Sequence, residues 1–380
     1  MHTLSTIRKI GILKASALGD FIVTVPALEA IRARWPAAAI VLLGRAWHEA
    51  WLQKGRTPVD RVIALPAVPG VTIDVAHEVD KAMLTSLYET LQAEQFDLFF
   101  NFQGNGEHTN AFARAIRPRL LAGPAFPDDH LPDYSMPYYH YQHEVVRYIE
   151  MASVTGTEKK IVEPAIRVLP DDLMEARVPL LTVNNKRYVV FHPFSRDIRR
   201  MWPLENYVAL GRRLKEQYEV EIIITGTEEE RGAVEAIEAH MQYPVINACG
   251  TLSLGGLTAL LAGASLVVAC DTGPLHLARA VQTPTVGIYW APNYIKWGPL
   301  TRAINRPVIS WEMQCPLCGI VPNNPWPFEP RKGCDHPVSF VRDISVEEVW
   351  RQAEELLSGV HVRGMERKET YEMEEGMRKE

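Results

Sequence analysis

The stretch Ser265–Leu277, S-L-V-V-A-C-D-T-G-P-L-H-L, constrains the fold more than any other. Leu266 to Cys270 is a short, β-branched apolar run of the kind that forms a buried parallel strand. Asp271-Thr272-Gly273-Pro274 breaks that run, and helical spacing begins at Leu275. Pro274 suits a first helical turn, where a missing N–H costs nothing, and Asp271 or Thr272 is placed to cap it. A strand running through a glycine turn into a helix projects free N–H groups from the carboxyl edge of a sheet. Such a helix start favours an anion, a phosphate above all, and His276 on the same turn is placed to add a hydrogen bond. Taken alone, an ordinary capped strand–turn–helix would read the same way.

The rest of the chain carries the same alternation twice. Ile7 to Leu13 predicts a first strand, followed by Lys14-Ala15-Ser16-Ala17-Leu18-Gly19-Asp20 and a helix with Phe21, Ile22, Val25, Leu28 and Ile31 on one face. Strands are predicted at Ile40–Leu43, Val62–Leu65 and Leu98–Phe102, with helical patterns between them. Residues 124–143, rich in Pro, Tyr, His and Asp, read as a long loop lining a cleft. Val178 to Arg187 reads as a polar linker. Beyond it come strand Tyr188–Phe191, helix Leu204–Tyr218, strand Val220–Thr225, helix Glu228–His240 and strand Val245–Asn247. Helix Leu254–Ala262, the strand at Leu266, strand Thr285–Tyr289 and a last helix over Ser345–Leu357 complete the pattern.

Strands alternating with helices imply parallel sheets, and 380 residues exceed one core of usual size. The expected architecture is α/β, with two doubly wound Rossmann-like domains at 1–180 and 181–362 facing a central cleft. The charged tail at 363–380 has no apolar face and is expected to be disordered.

Composition excludes several classes. A net charge of −6 gives no reason to expect a nucleic-acid partner. No apolar run is long enough to span a membrane, and Lys14 and Asp20 interrupt the only leader-like segment. Five cysteines in a chain this long do not make a disulfide scaffold, so a cytoplasmic protein is expected. Arg8, Lys9, Lys14, Arg32, Arg34 and Arg45 make the N-terminal region locally basic. That is the character of a solvated face, a phosphate site or a surface for an anionic membrane.

Three loops at predicted strand ends carry chemistry. Asp20 is either a helix stabiliser or a general base. His192 to Pro203 holds Arg196, Arg199 and Arg200, whose guanidinium forks suit a diphosphate, although a solvated basic loop is the alternative. Thr225-Gly226-Thr227-Glu228 ends another strand, with Glu228 placed either to accept from ribose hydroxyls or to cap the next helix. No G-x-G-x-x-G follows the first strand and no Walker A loop occurs, which weakens dinucleotide and nucleotide-hydrolysis readings.

A-S-A-L-G-D with V-P-A-L, H-P-F-S…R-R-M-W-P, I-T-G-T-E, and D-T-G-P-L-H…T-P-T-V-G-I-Y…W-G-P together resemble glycosyltransferase family 9, the ADP-heptose:lipopolysaccharide heptosyltransferases. The likeness runs in order from about Ile7 to past Cys334. It implies a GT-B fold with an N-terminal acceptor domain and a C-terminal nucleotide-sugar domain. It also implies inverting, metal-independent transfer of a heptose from a nucleoside-diphosphate donor, such as ADP-heptose, to a hydroxyl of a lipopolysaccharide core or other saccharide or protein acceptor. No D-x-D pair is present, as that implies, and no catalytic cofactor is expected.

By position, the resemblance makes Asp20 the base. It makes Arg199, Arg200, Thr225, Glu228 (with Glu229 an alternative), Asp271, Thr272, Gly273 and His276 the donor contacts. Lys14, Ser16, Gln103 and Asn105 fall to the acceptor side. Asn101-Phe102-Gln103-Gly104-Asn105 resembles the family's Q-G loop, but Gly106-Glu107-His108 replaces a basic residue often found after it, so the acceptor or sugar can differ. A cytoplasmic enzyme working at the inner face of the inner membrane would fit a lipopolysaccharide acceptor.

Cys315-Pro316-Leu317-Cys318 has metal-knuckle spacing, and Cys334-Asp335-His336 follows it more tightly spaced than is usual. The set is a candidate for structural zinc; reduced cysteines in a proline-rich loop are the alternative. Two other functions remain open at this level. A nucleotide-sugar epimerase of the same fold would turn over donor without acceptor, and a non-catalytic nucleotide-sugar-binding protein would bind donor and transfer nothing.

Overall fold

The computed structural model describes residues 7–126, 131–158, 161–183, 186–322, 334 and 336–359; the tail expected to be disordered at 363–380 lies outside them. The chain divides into two compact units, Met1–Leu169 with Ile295–Leu300 and Pro170–Tyr294 with Thr301–Glu380. Each holds one parallel six-stranded sheet. No helix among the described residues is long and apolar enough to cross a membrane.

The first sheet comprises β1 (Lys9–Leu13), β2 (Ala39–Gly44), β3 (Arg61–Ala64), β4 (Leu98–Asn101), β5 (Leu121–Ala125) and β6 (Tyr134–Pro137), in the order β3-β2-β1-β4-β5-β6. Its central strands are buried apolar runs, and side chains such as Leu13, Val41, Phe99 and Phe112 form the core. Gly11 lets β1 and β4 pack closely: a Cβ there would lie 2.3 Å from the Phe99 ring. Strands β5 and β6 correct the reading of 124–143 as wholly loop. Pro124 and Pro137 hide them in the sequence, but β6 sits at the sheet edge, where proline is tolerated. The helix expected after Gly19 is also two helices, Leu18–Ile22 and Val25–Arg34. Pro26 lies in the first turn of the second, a place that proline favours, and the chain breaks just before it.

The second sheet comprises β7 (Tyr188–His192), β8 (Glu221–Ile224), β9 (Ile246–Asn247), β10 (Leu266–Cys270), β11 (Thr285–Trp290) and β12 (Asn305–Ser310), in the order β12-β11-β10-β7-β8-β9. Counted from each unit's own first strand, the two orders are the same. Phe191, Trp202, Tyr207, Leu210 and Trp350 pack in its core; Trp350 comes from a helix over residues 346–359. The segment Val178–Arg187, expected to be a linker, begins inside the helix Pro170–Leu180, which has few buried residues and contains Pro179. That helix is tied to the helix Leu254–Gly263, where Glu175 accepts from Ser253 Oγ at 2.6 Å.

Candidate active site

In a doubly wound sheet the strand order reverses at one point, and the loops leaving the carboxyl ends of the two strands there diverge to leave a ligand crevice. In the second unit that point lies between β7 and β10, which pair in parallel with Ala269 opposite His192. In the first unit it lies between β1 and β4, with Leu13 opposite Asn101.

In the second unit, β10 leads directly into the helix Gly273–Ala280. Thr272 is its N-cap residue but makes no side-chain cap; its Oγ1 turns back to the Cys270 carbonyl at 3.1 Å. The first N–H groups of a helix have no partner within it, so they remain available for an anion. Asp271 does not cap either. Its buried carboxylate accepts from Asn293 Nδ2 at 2.8 Å and lies 3.1 Å from His276 Nε2. Burial alone would raise its pKa, but His276, Arg200 and Asn293 outweigh it and hold the group below the usual carboxylate value. It is therefore a fixed negative charge at neutral pH.

His276 is placed differently from the expectation that it meets a phosphate directly. Its ring is buried, Nε2 faces Asp271, and Nδ1 lies 3.3 Å from Arg279 Nη1. Both nitrogens are occupied within the protein, so His276 positions Asp271 and has no free edge for an anion.

The two arginines also separate. Arg199 grips Asp197 with two bonds, Nε–Oδ1 at 2.8 Å and Nη2–Oδ2 at 2.7 Å, and donates Nη1 to the Cys334 carbonyl at 3.3 Å. It is committed to its own loop and does not stand as a phosphate fork. Arg200 instead reaches the turn between β10 and the helix Gly273–Ala280, with Nη1 3.2 Å from the Asp271 carbonyl and 3.7 Å from its carboxylate. Its Nε is buried with no hydrogen-bond partner among the described residues. A buried guanidinium N–H left unsatisfied is uncommon, and a ligand anion would satisfy it.

Thr225, one strand over, is held by His192, whose Nδ1 lies 3.1 Å from Thr225 Oγ1. Desolvation lowers the His192 pKa to about 4, so the ring is neutral at neutral pH. Glu228 is exposed and paired with Arg231 through Nε–Oε1 at 2.7 Å and Nη2–Oε2 at 2.8 Å. Gly250, at φ +66°, leaves room for it, since a Cβ there would sit 2.3 Å from Glu228 Oε2. Glu230, not Glu228, closes the local cap, accepting from Thr227 N at 2.7 Å.

In the first unit, Ala17 is the N-cap of the helix Leu18–Ile22, and Asp20 stands in its first turn, partly buried. Lys14 is buried beside it and donates Nζ to Tyr148 Oη at 2.6 Å. Burial lowers the Lys14 pKa, while the negative charges of Asp20 and Glu144 act the other way. Glu144 is shared by Arg147 Nε at 3.4 Å and Lys296 Nζ at 3.6 Å. Lys14, Arg147 and Lys296 thus face two carboxylates. Ser16 Oγ is buried with no partner among the described residues.

Gln103 is not free for an acceptor at either end of its amide. Its Oε1 accepts from Ala15 N at 3.0 Å and its Nε2 donates to Val71 O at 3.3 Å, so it joins the β1 and β4 loops. Asn105 makes a local turn, accepting from Glu107 N at 3.1 Å. The cysteine loop is assembled as a group: the ligand atoms of Cys315, Cys318, Cys334 and His336 all lie within 4.8 Å of one another.

Several site residues carry no signal that stands out in the sequence. Asn293 follows the carboxyl end of β11, and its position at a strand end was the available clue. Glu144, Arg147, Tyr148 and Lys296 reach Lys14 from 130 positions or more along the chain, and no local pattern marks them.

The profile of glycosyltransferase family 9 (heptosyltransferase) matches residues 84–317. Among curated relatives, lipopolysaccharide heptosyltransferase 3 of Escherichia coli (strain K12) is 24% identical over 311 residues, covering 75% of this chain and 83% of the relative. Among solved structures, a family 9 glycosyl transferase from Veillonella parvula DSM 2008 superposes with a TM-score of 0.74 at 19% identity, over 93% of this chain and 97% of that one. The E. coli ADP-heptose lps heptosyltransferase II gives a TM-score of 0.71 at 16% identity, over 93% and 100%. The shared architecture is the two-domain GT-B class.

Proposed function

The chain belongs to glycosyltransferase family 9, and from that premise we propose that it transfers a heptose from ADP-heptose to a hydroxyl of a lipopolysaccharide core, with inversion at the anomeric carbon. The observation that carries this reading is the donor turn. Arg200, with an unsatisfied buried N–H, converges with the start of the helix Gly273–Ala280 at the point where the sheet order reverses.

Transfer from a nucleoside diphosphate needs positive potential where the leaving diphosphate gathers charge. In this reading the helix N–H groups at Thr272 and Gly273 and the Arg200 guanidinium supply it, while Asp271, held by His276 and Asn293, fixes Arg200. The protein thereby does the charge-stabilising work that a divalent cation does in other transferases, so the chemical step is metal-independent. Asp20 accepts the proton from the acceptor hydroxyl, which then attacks the face opposite the leaving group and inverts the centre. In this reading Lys14, Arg147 and Lys296, grouped around Asp20 and Glu144, bind polar or anionic groups of the acceptor. Such an acceptor lies on the cytoplasmic face of the inner membrane, where the enzyme works as a peripheral protein.

The test is incubation of purified protein with ADP-heptose and a heptose-deficient lipopolysaccharide core. The expected result is ADP release matched by an acceptor mass gain of one heptose. Consumption of ADP-heptose that needs no acceptor would identify an epimerase or hydrolase instead. Tight ADP-heptose binding with no transfer to any core acceptor would leave a binding protein.

A further inference from the structure

Four side chains that favour soft metals converge in the second unit, on residues that the transfer reading does not use. Cys315 and Cys318 flank a tight turn in which Gly319 N donates to the Cys315 carbonyl at 2.8 Å and Cys315 N to the Ile320 carbonyl at 2.8 Å. Gly319 takes φ +71°, a left-handed conformation that lets the chain reverse directly after the second cysteine. The main-chain N–H groups of Leu317 and Cys318 are directed at the Cys315 sulfur.

Cys334 and His336 complete the group. Cys315 Sγ and Cys334 Sγ each lie 3.6 Å from His336 Nδ1, and Cys318 Sγ lies 3.7 Å from Cys334 Sγ. Bonds of about 2.3 Å to sulfur and about 2.0–2.1 Å to nitrogen give a tetrahedron with S–S edges of about 3.8 Å and S–N edges of about 3.6 Å. These three separations match such edges, and the remaining pairs lie within 4.8 Å. They are far from the roughly 2.05 Å of a disulfide, and the cysteines are free thiols. Thiols are weak hydrogen-bond donors and acceptors, which gives three of them little reason to gather around one imidazole at this spacing.

We propose that Cys315, Cys318, Cys334 and, through Nδ1, His336 bind a single tetrahedral metal ion of the zinc or ferrous class, and that this ion anchors the turn bearing Arg200. Four protein ligands close the coordination sphere, so the ion is structural. Its mechanical link is explicit. The Cys334 carbonyl accepts from Arg199 Nη1 at 3.3 Å, Phe340 N donates to the Arg199 carbonyl at 2.7 Å, and Ser339 Oγ donates to the Met201 carbonyl at 2.6 Å. These bonds fall on both sides of Arg200. The site depends on neither the donor nor the sugar, so its failure would leave the transfer reading standing, and the reverse.

The experiment is elemental analysis of the full chain, purified under reducing conditions without chelator, together with Cys318→Ser. Cys318 is the exposed cysteine, so its replacement leaves no cavity in the core. The wild type is expected to carry about one zinc or one iron per chain, the element deciding between them, and Cys318→Ser to lose it. Cobalt added to metal-free wild type should give thiolate-to-metal charge transfer and the intense d–d bands of a tetrahedral site. Hydrogen exchange at Arg200, Met201 and Phe340 should speed up when the ion is removed. A metal-free wild type that takes up neither zinc nor cobalt would overturn the site. Full occupancy in Cys318→Ser would overturn the ligand set, and unchanged exchange after metal removal would overturn the anchoring.

Discussion

Arg200 Nη1 lies 3.2 Å from the carbonyl of Asp271, although the two residues are 71 positions apart. This contact joins the basic loop after β7 to the helix start after β10. Charge-assisted bonds to a phosphate are worth about 1.5–3 kcal/mol each. Arg200→Ala should therefore weaken ADP binding by about 10- to 150-fold while adenosine binding changes little. Calorimetry with both ligands checks it, and equal weakening of the two would place Arg200 away from the diphosphate.

Gly273 opens the helix that receives the diphosphate in this account. A side chain there adds bulk where phosphate oxygens approach the backbone. Gly273→Val should cut ADP affinity strongly and keep its thermal transition, because the residue lies outside the apolar strand. A folded variant that binds ADP normally would refute the phosphate site. His276→Ala should also weaken ADP, acting indirectly by loosening Asp271 and Arg200.

The strand–turn–helix at Leu266–Ala280 was legible because its three parts are consecutive in the chain, and local patterning carries such a unit. What the pattern could not separate was Arg199 from Arg200. Both are basic and adjacent, yet Asp197 holds one and Asp271 receives the other. His276 lies on that turn as its spacing suggests, but its ring faces Asp271, five residues before it, a partner that local patterning does not mark. The surroundings of Lys14 were not legible at all. Tyr148 and Glu144 arrive from a helix after β6, in a stretch where prolines mask the strands, and Lys296 arrives from Ile295–Leu300, a short segment of the first unit far along the chain.

Glu144 is the counter-charge of that cluster, with its side chain only 9% exposed and Arg147 only 2%. Removing one partner of a buried ion pair leaves an uncompensated charge, at about 3–5 kcal/mol. Glu144→Gln should lower stability by an amount of that order in urea unfolding. A loss below about 1 kcal/mol would show that solvent already screens the cluster.

His48 accepts from Arg45 N at 3.0 Å through Nδ1, packs edge-on to Phe21, and is fully buried. Desolvation lowers its pKa from 6.5 to about 3. With the folded value below the unfolded one, the unfolded chain binds the proton first, and stability falls as pH drops below about 6.5. At pH 5 the loss from this residue is about 2 kcal/mol. His48→Asn, which keeps an acceptor for Arg45 N, should lose correspondingly less stability between pH 7.5 and pH 5. Identical pH slopes in variant and wild type would remove His48 as the cause.

In the proposed transfer Asp20 takes the proton from the acceptor hydroxyl, and the direct measurement is the rate of heptose transfer by Asp20→Asn under saturating ADP-heptose and core acceptor. Loss of a general base costs about 10²- to 10⁴-fold. A fall of that size is expected at neutral pH with ADP affinity nearly unchanged, because Asp20 and the Asp271–Gly273 turn belong to different units. Near-normal transfer by the variant would reduce Asp20 to a helix stabiliser and contradict the mechanism.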